Sequence, residues 1–96
     1  MTLTDFKGSL KHDRPSVDAA SAVAALWWIR KGNWDRAHEI VMNDEGTDAA
    51  WVHAHLHRIE GDLPNAQYWY KQARKPVATT AIEDEWEAIA EALLAK

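Results

Sequence analysis

His53, His57 and Glu60 stand at helical spacing in the middle of the chain, and all three side chains suit metal ligation or acid–base work. At about 100° per residue they share one strip of a helix roughly 60° wide. That strip adjoins an apolar face of Val52, Leu56 and Ile59, with Ala49 at its edge. Imidazoles at i and i+4 can both reach one ion, and Glu60 lies a turn beyond His57. His38, just after Ala37 on the preceding predicted helix, can add a further ligand. His55 points elsewhere, toward Trp51 and Arg58. The pattern is not the His-Glu-x-x-His of zinc proteases, because Ala54 follows His53 and the general base is missing.

Three readings of this helix compete. The leading one is structural: buried imidazoles whose nitrogens are satisfied by Glu60, by the hydroxyl of Tyr68 or Tyr70, or by a carbonyl. A polar pocket lined by His53, His57, Arg58 and Glu60 with aromatic walls comes second. A metal site at His53, His57, Glu60 and His38 comes third. Elsewhere no catalytic residue is identified. Ser9, Ser16 and Ser21 lack the context of a nucleophile, and no glycine loop is built to cradle phosphate. Nothing in the sequence implies a cofactor.

Composition narrows the partners. The formal net charge is −4, from 11 basic and 15 acidic residues, which argues against a nucleic acid, where affinity comes from neutralising phosphates. The chain has no cysteine, so disulfides and thiolate chemistry are excluded, and a cytoplasmic location is expected. Met1 to His12 lacks the basic head and apolar stretch of a signal peptide. The longest mostly apolar run, Ala19 to Ile29, is far short of the roughly 20 residues of a membrane helix. Six tryptophans in 96 residues supply large buried area to a small core, or a binding surface if left outside it.

The elements that must position these groups are all helical. Residues 1–15 are polar, with Phe6 and Leu10 as possible anchors, and are expected to be flexible or loosely docked. Residues 16–96 are expected to form a single domain. Ser16 and Asp18 suggest a first helix over Val17–Lys31, stopped by Gly32. Asn33 caps a second over Trp34–Met42. A third opens at Thr47 and Asp48 and ends at Gly61. Asp62 caps a fourth, with Pro64 early enough to be tolerated. Thr80 is expected to cap a fifth, whose Ile82, Trp86, Ile89, Ala90 and Leu93 form a stripe at helical spacing.

An internal repeat underlies this series. Gly32-Asn33-Trp34-Asp35-Arg36-Ala37 aligns with Gly61-Asp62-Leu63-Pro64-Asn65-Ala66. Both resemble the turn between the two helices of a tetratricopeptide repeat, and the second copy extends to Tyr70, Ala73 and Pro76. Only 29 residues separate the two glycines, against about 34 in the family. The resemblance implies an all-α fold of about five helices: two tetratricopeptide-like hairpins and a C-terminal capping helix. In that register His53 and His57 fall where helices pack. The stretch from Trp51 through Asp62, continued by Asn65-Ala66-Gln67-Tyr68-Trp69-Tyr70, also resembles a family of small uncharacterised bacterial proteins. The positions of the chaperone-tail clamp of some tetratricopeptide domains hold Ala22, Leu26, Asp48, Trp51 and His55 here, so that clamp is missing.

The function expected from this resemblance is a non-enzymatic protein-interaction module that binds a protein partner or a second copy of itself. Candidate contact residues are Trp27, Trp28, Trp51, His55, Arg58, Tyr68, Trp69 and Tyr70. Adjacent rings point about 100° apart, so at least one in each aromatic run must leave the core. The alternative is a small-molecule or metal-binding protein built on the histidine helix.

Overall fold

In the computed structural model, which describes every residue from Met1 to Lys96, the chain contains helices and no strands. The order is α1 (Leu3–Gly8), α2 (Ser21–Arg30), α3 (Trp34–Met42), α4 (Thr47–Ile59), α5 (Leu63–Ala73) and α6 (Ile82–Leu94), with a short 3-10 turn, Ser9–Lys11, after α1. Six helices replace the expected five because residues 3–8 fold as well. Thr2 and Asp5 form a reciprocal capping box that satisfies exposed N–H groups of the first turn. Phe6 then buries itself to 3% exposure and stacks on Trp86 with ring centroids 5.7 Å apart. Lys7 pairs with Glu87 at 2.7 Å, and the Trp27 indole donates to the Ser9 hydroxyl at 3.2 Å.

The two repeated turns are built alike. Gly32 and Gly61 take φ of +83° and +82°, the left-handed region where a side chain is strained. This lets Asn33 N–H donate to Trp28 O at 3.0 Å and Asp62 N–H to His57 O at 2.9 Å, closing α2 and α4 with the same wide backbone bond. Asn33 and Asp62 then accept from Arg36 N–H and Asn65 N–H, starting α3 and α5. Consecutive helices joined this way pack on each other, α2 on α3 and α4 on α5, while α6 lies across α2 and α4.

Two other boundaries differ from expectation. The first long helix starts at Ser21, not Val17, because the Ser16 hydroxyl accepts from Asp18 N–H, Val17 and Asp18 form a turn closed by Ala19 N–H on Ser16 O, and Ala20 is extended. Thr80 does not cap α6; Ala81 precedes the helix without a side-chain cap, and the Thr80 carbonyl accepts from Arg58 instead.

The main core joins Phe6, Ala25, Leu26, Trp27, Ala37, Val41, Val52, Leu56, Trp86 and Ile89. Its alanines allow close helix approach, and its large rings supply area. The Trp86 indole is buried but satisfied, donating to Leu26 O at 2.9 Å. No helix is long and apolar enough to cross a membrane.

Candidate functional site

The histidines of α3 and α4 meet on one side of the α3–α4–α5 layer. α3 contributes His38, and α4 contributes His53 and His57, one turn apart. The two Nε2 atoms of His38 and His53 face each other at 3.1 Å. One ligand atom from each of His38, His53 and His57 lies within 4.8 Å of the other two. At metal–nitrogen bonds of about 2.0–2.1 Å, two imidazoles on a tetrahedral ion sit roughly 3.4 Å apart. The observed spacing therefore needs only small ring movements to enclose an ion.

Each ring is held by a partner of its own. Trp34 stacks on His38 (centroids 4.7 Å, planes 17° apart), and its indole donates to Leu56 O at 2.8 Å, fixing α3 to the end of α4. Trp69 of α5 stacks on His53 at 3.9 Å and 14°. Glu60 Oε1 accepts from His57 Nδ1 at 2.5 Å, which leaves Nε2 as the free nitrogen of that ring. A carboxylate on the far nitrogen of a ligating histidine orients the ring and raises its basicity.

Burial, with His38 and His57 close by, pushes the His53 imidazole down to about 4. Its ring is thus neutral at pH 7. Burial also lowers His38, helped by His57 and opposed by Glu60 and Asp35. A cavity of about 410 Å³ reaches this cluster, lined by His38, His53, His57, Met42, Asn65 and Trp69. Met42 forms its rim and is 63% exposed. Asn65 donates its backbone N–H to Asp62 and is one of the residues lining the cavity.

A second polar cluster lies on the opposite face of α4, where α6 covers it. His55 is fully buried, and its Nδ1 donates to Glu85 Oε1 at 2.6 Å. Arg58 donates to the same oxygen at 3.1 Å, and the Tyr70 hydroxyl donates to Oε2. Burial opposes ionisation of Glu85, but the hydrogen bonds from His55, Tyr70 and Arg58 overcome it and hold its carboxyl below the ordinary value. Burial and the Glu85 bond push the Tyr70 phenol up. His55 Nε2 is buried without a partner. With the proton on Nδ1 this orphan is a bare lone pair, less costly than an unsatisfied N–H. Arg58 and Tyr70 line a cavity of about 300 Å³ with Leu63, Ala66, Gln67, Val77 and Ala78. Their polar ends are turned to Glu85 and Thr80, so this quartet works as a helix-joining network.

The residues singled out from sequence thus divide between two places. His38, His53, His57 and Glu60 come together. His55, Arg58 and Tyr70 join Glu85 instead. Trp27 is buried in the core, its neighbour Trp28 and also Trp51 are half-buried, and Tyr68 is 55% exposed beside half-buried Trp69. Glu85 stands in the acidic run Glu83-Asp84-Glu85, a composition that by itself reads as a solvated face. The signal that finds it is spacing, since it falls on the stripe of Ile82, Trp86, Ile89 and Leu93. Asn65 carried no signal beyond the repeated turn.

No protein-family model, curated protein or solved structure matches this chain.

Proposed function

We propose that this chain is a metal-binding helical domain that holds one divalent transition-metal ion on His38, His53 and His57. The observation that carries the reading is the convergence of three imidazoles from two helices at one end of a solvent-reaching cavity. An all-imidazole donor set suits zinc, copper, nickel or cobalt rather than magnesium or calcium, which prefer oxygen. Trp34, Trp69 and Glu60 act as positioning residues that hold the rings in place. Equilibrium dialysis of tag-free protein against zinc, followed by elemental analysis, tests this. One zinc per chain is expected for the wild type and for His12→Ala, a remote exposed histidine, with loss in His38→Ala. Equal zinc retention in His38→Ala and His12→Ala, or none in the wild type, would reject the site.

A second reading treats the α2–α3 and α4–α5 pairs as tetratricopeptide-like hairpins presenting a face to a protein partner or a second copy of the chain. It is supported by the repeated glycine–cap turns and by the exposure of Leu63 (56%) and Tyr68 (55%) on α5. Sedimentation equilibrium tests self-association: a monomer at all concentrations would leave only the heterologous form of this reading.

A further inference from the structure

Resting on the metal-binding reading above, we infer that the site keeps one coordination position open to the α5 side of the cavity and takes a small carboxylate there.

The donor count comes first. The convergent group contains three histidines and stops there. Glu60 and Asp62 form a separate set with His57, Glu60 is committed to His57 Nδ1 and Asp62 caps α5. Three protein ligands leave a four-coordinate ion one position short, which is the arrangement of exchange-labile and catalytic sites rather than closed structural ones.

The charge balance then selects the ligand. Three neutral imidazoles leave the ion with its full double charge, and the one carboxylate bonded to a ligand, Glu60, offsets half of it. An anion at the fourth position neutralises the remainder.

The shape of the cavity makes the choice narrower. It adjoins all three imidazoles and is lined on the α5 side by Asn65 and Trp69, with exposed Met42 of α3 beside them. Asn65 uses its backbone N–H as a cap contact and leaves its side-chain amide free to donate. A carboxylate can place one oxygen on the metal and accept from Asn65 with the other, while a short apolar tail lies against Trp69 and Met42. The exchange is a substitution: a carboxylate oxygen forms a bond to the metal as a solvent molecule leaves, with no change in oxidation state.

Cobalt(II) makes this visible, because its d–d absorption reports both binding and coordination. Tag-free protein loaded with one equivalent of cobalt is titrated with acetate and, separately, with azide, in the wild type and in Asn65→Ala. The expected result is a visible band that shifts saturably with either anion, with acetate binding about tenfold weaker in Asn65→Ala and azide little changed. A stoichiometric cobalt band that ignores both anions would show a closed site and overturn this inference while leaving the metal-binding reading intact. Absence of any protein-dependent cobalt band would instead sink the metal-binding reading itself. Acetate binding unaffected by Asn65→Ala, or weakened together with azide, would overturn the carboxylate assignment. Far-ultraviolet circular dichroism of Asn65→Ala, matched to wild type, separates a lost contact from a lost fold.

Discussion

Replacing Glu85 by Gln removes one charge from the most buried polar cluster and leaves its shape nearly unchanged. The Glu85 side chain is 5% exposed and accepts from His55 at 2.6 Å, from Arg58 at 3.1 Å and from Tyr70. A glutamine oxygen can keep some of these bonds, but its NH2 group must face a donor. Hydrogen bonds to a charged group contribute roughly 1.5–3 kcal/mol each, and stripping one partner from a buried ion pair costs about 3–5 kcal/mol. Relief from burying the carboxylate offsets part of this, so a net loss of about 3 kcal/mol is expected. That is a large share of the roughly 5–14 kcal/mol available to a chain of this length. Urea unfolding at pH 7, followed by tryptophan fluorescence, measures it, with exposed Glu91→Gln as a control expected within about 0.5 kcal/mol of wild type. The pH dependence gives a second handle. Because the folded protein holds Glu85 below its ordinary 4.5, the unfolded chain takes up the proton first on acidification. The stabilisation is therefore complete above pH 4.5 and is lost as pH falls through the folded-state value. The gap between wild type and Glu85→Gln must narrow in that direction. A loss under about 1 kcal/mol at pH 7, or a gap that widens in acid, would refute the account of this network.

Other consequences can be checked on the same material. Phe6→Ala should cost about 3 kcal/mol in urea unfolding, as for other buried phenylalanines, since its ring is 3% exposed against Trp86; a change within experimental error would mean that α1 is not part of the folding unit. Gly61→Ala should cost roughly 1–2 kcal/mol, all of it conformational, because nothing lies within 4 Å of an added Cβ while φ is +82°. Gly8→Ala, where φ is −61° and the space is equally open, should be neutral or stabilising. Zinc at about a hundred times its dissociation constant should stabilise the wild type by roughly 2.7 kcal/mol. Chelator should reverse this, and in His38→Ala zinc should have no effect; equal stabilisation of both proteins would place the ion elsewhere.

Much of the helical framework is written in local chemistry. Gly32 with Asn33 and Gly61 with Asp62 each pair a left-handed stop with a capping side chain, so both turns can be read directly from sequence. The start of α2 could not be read so directly, because Ser16 and Asp18 have the composition of a cap and instead form a local turn. α1 was obscured for a different reason: its helix depends on Phe6 finding Trp86, 80 residues away in sequence. The candidate site shows the same division. Spacing alone puts His53 and His57 on one face of α4. That His38 meets them, and that Trp34 and Trp69 cover the rings, follows from how α3 and α5 flank that face. His55 is the counterpart. Its partner Glu85 comes from α6, and nothing near His55 in sequence announces it.

The proposed metal site is tested most directly by long-range proton–nitrogen spectra of the histidine side chains, recorded as zinc is added to one equivalent. Five imidazoles report separately. The account predicts that the rings of His38, His53 and His57 shift together in slow exchange, while those of His12 and His55 stay in place. Shifts confined to His12, or five spectra unchanged at full equivalence, would contradict it.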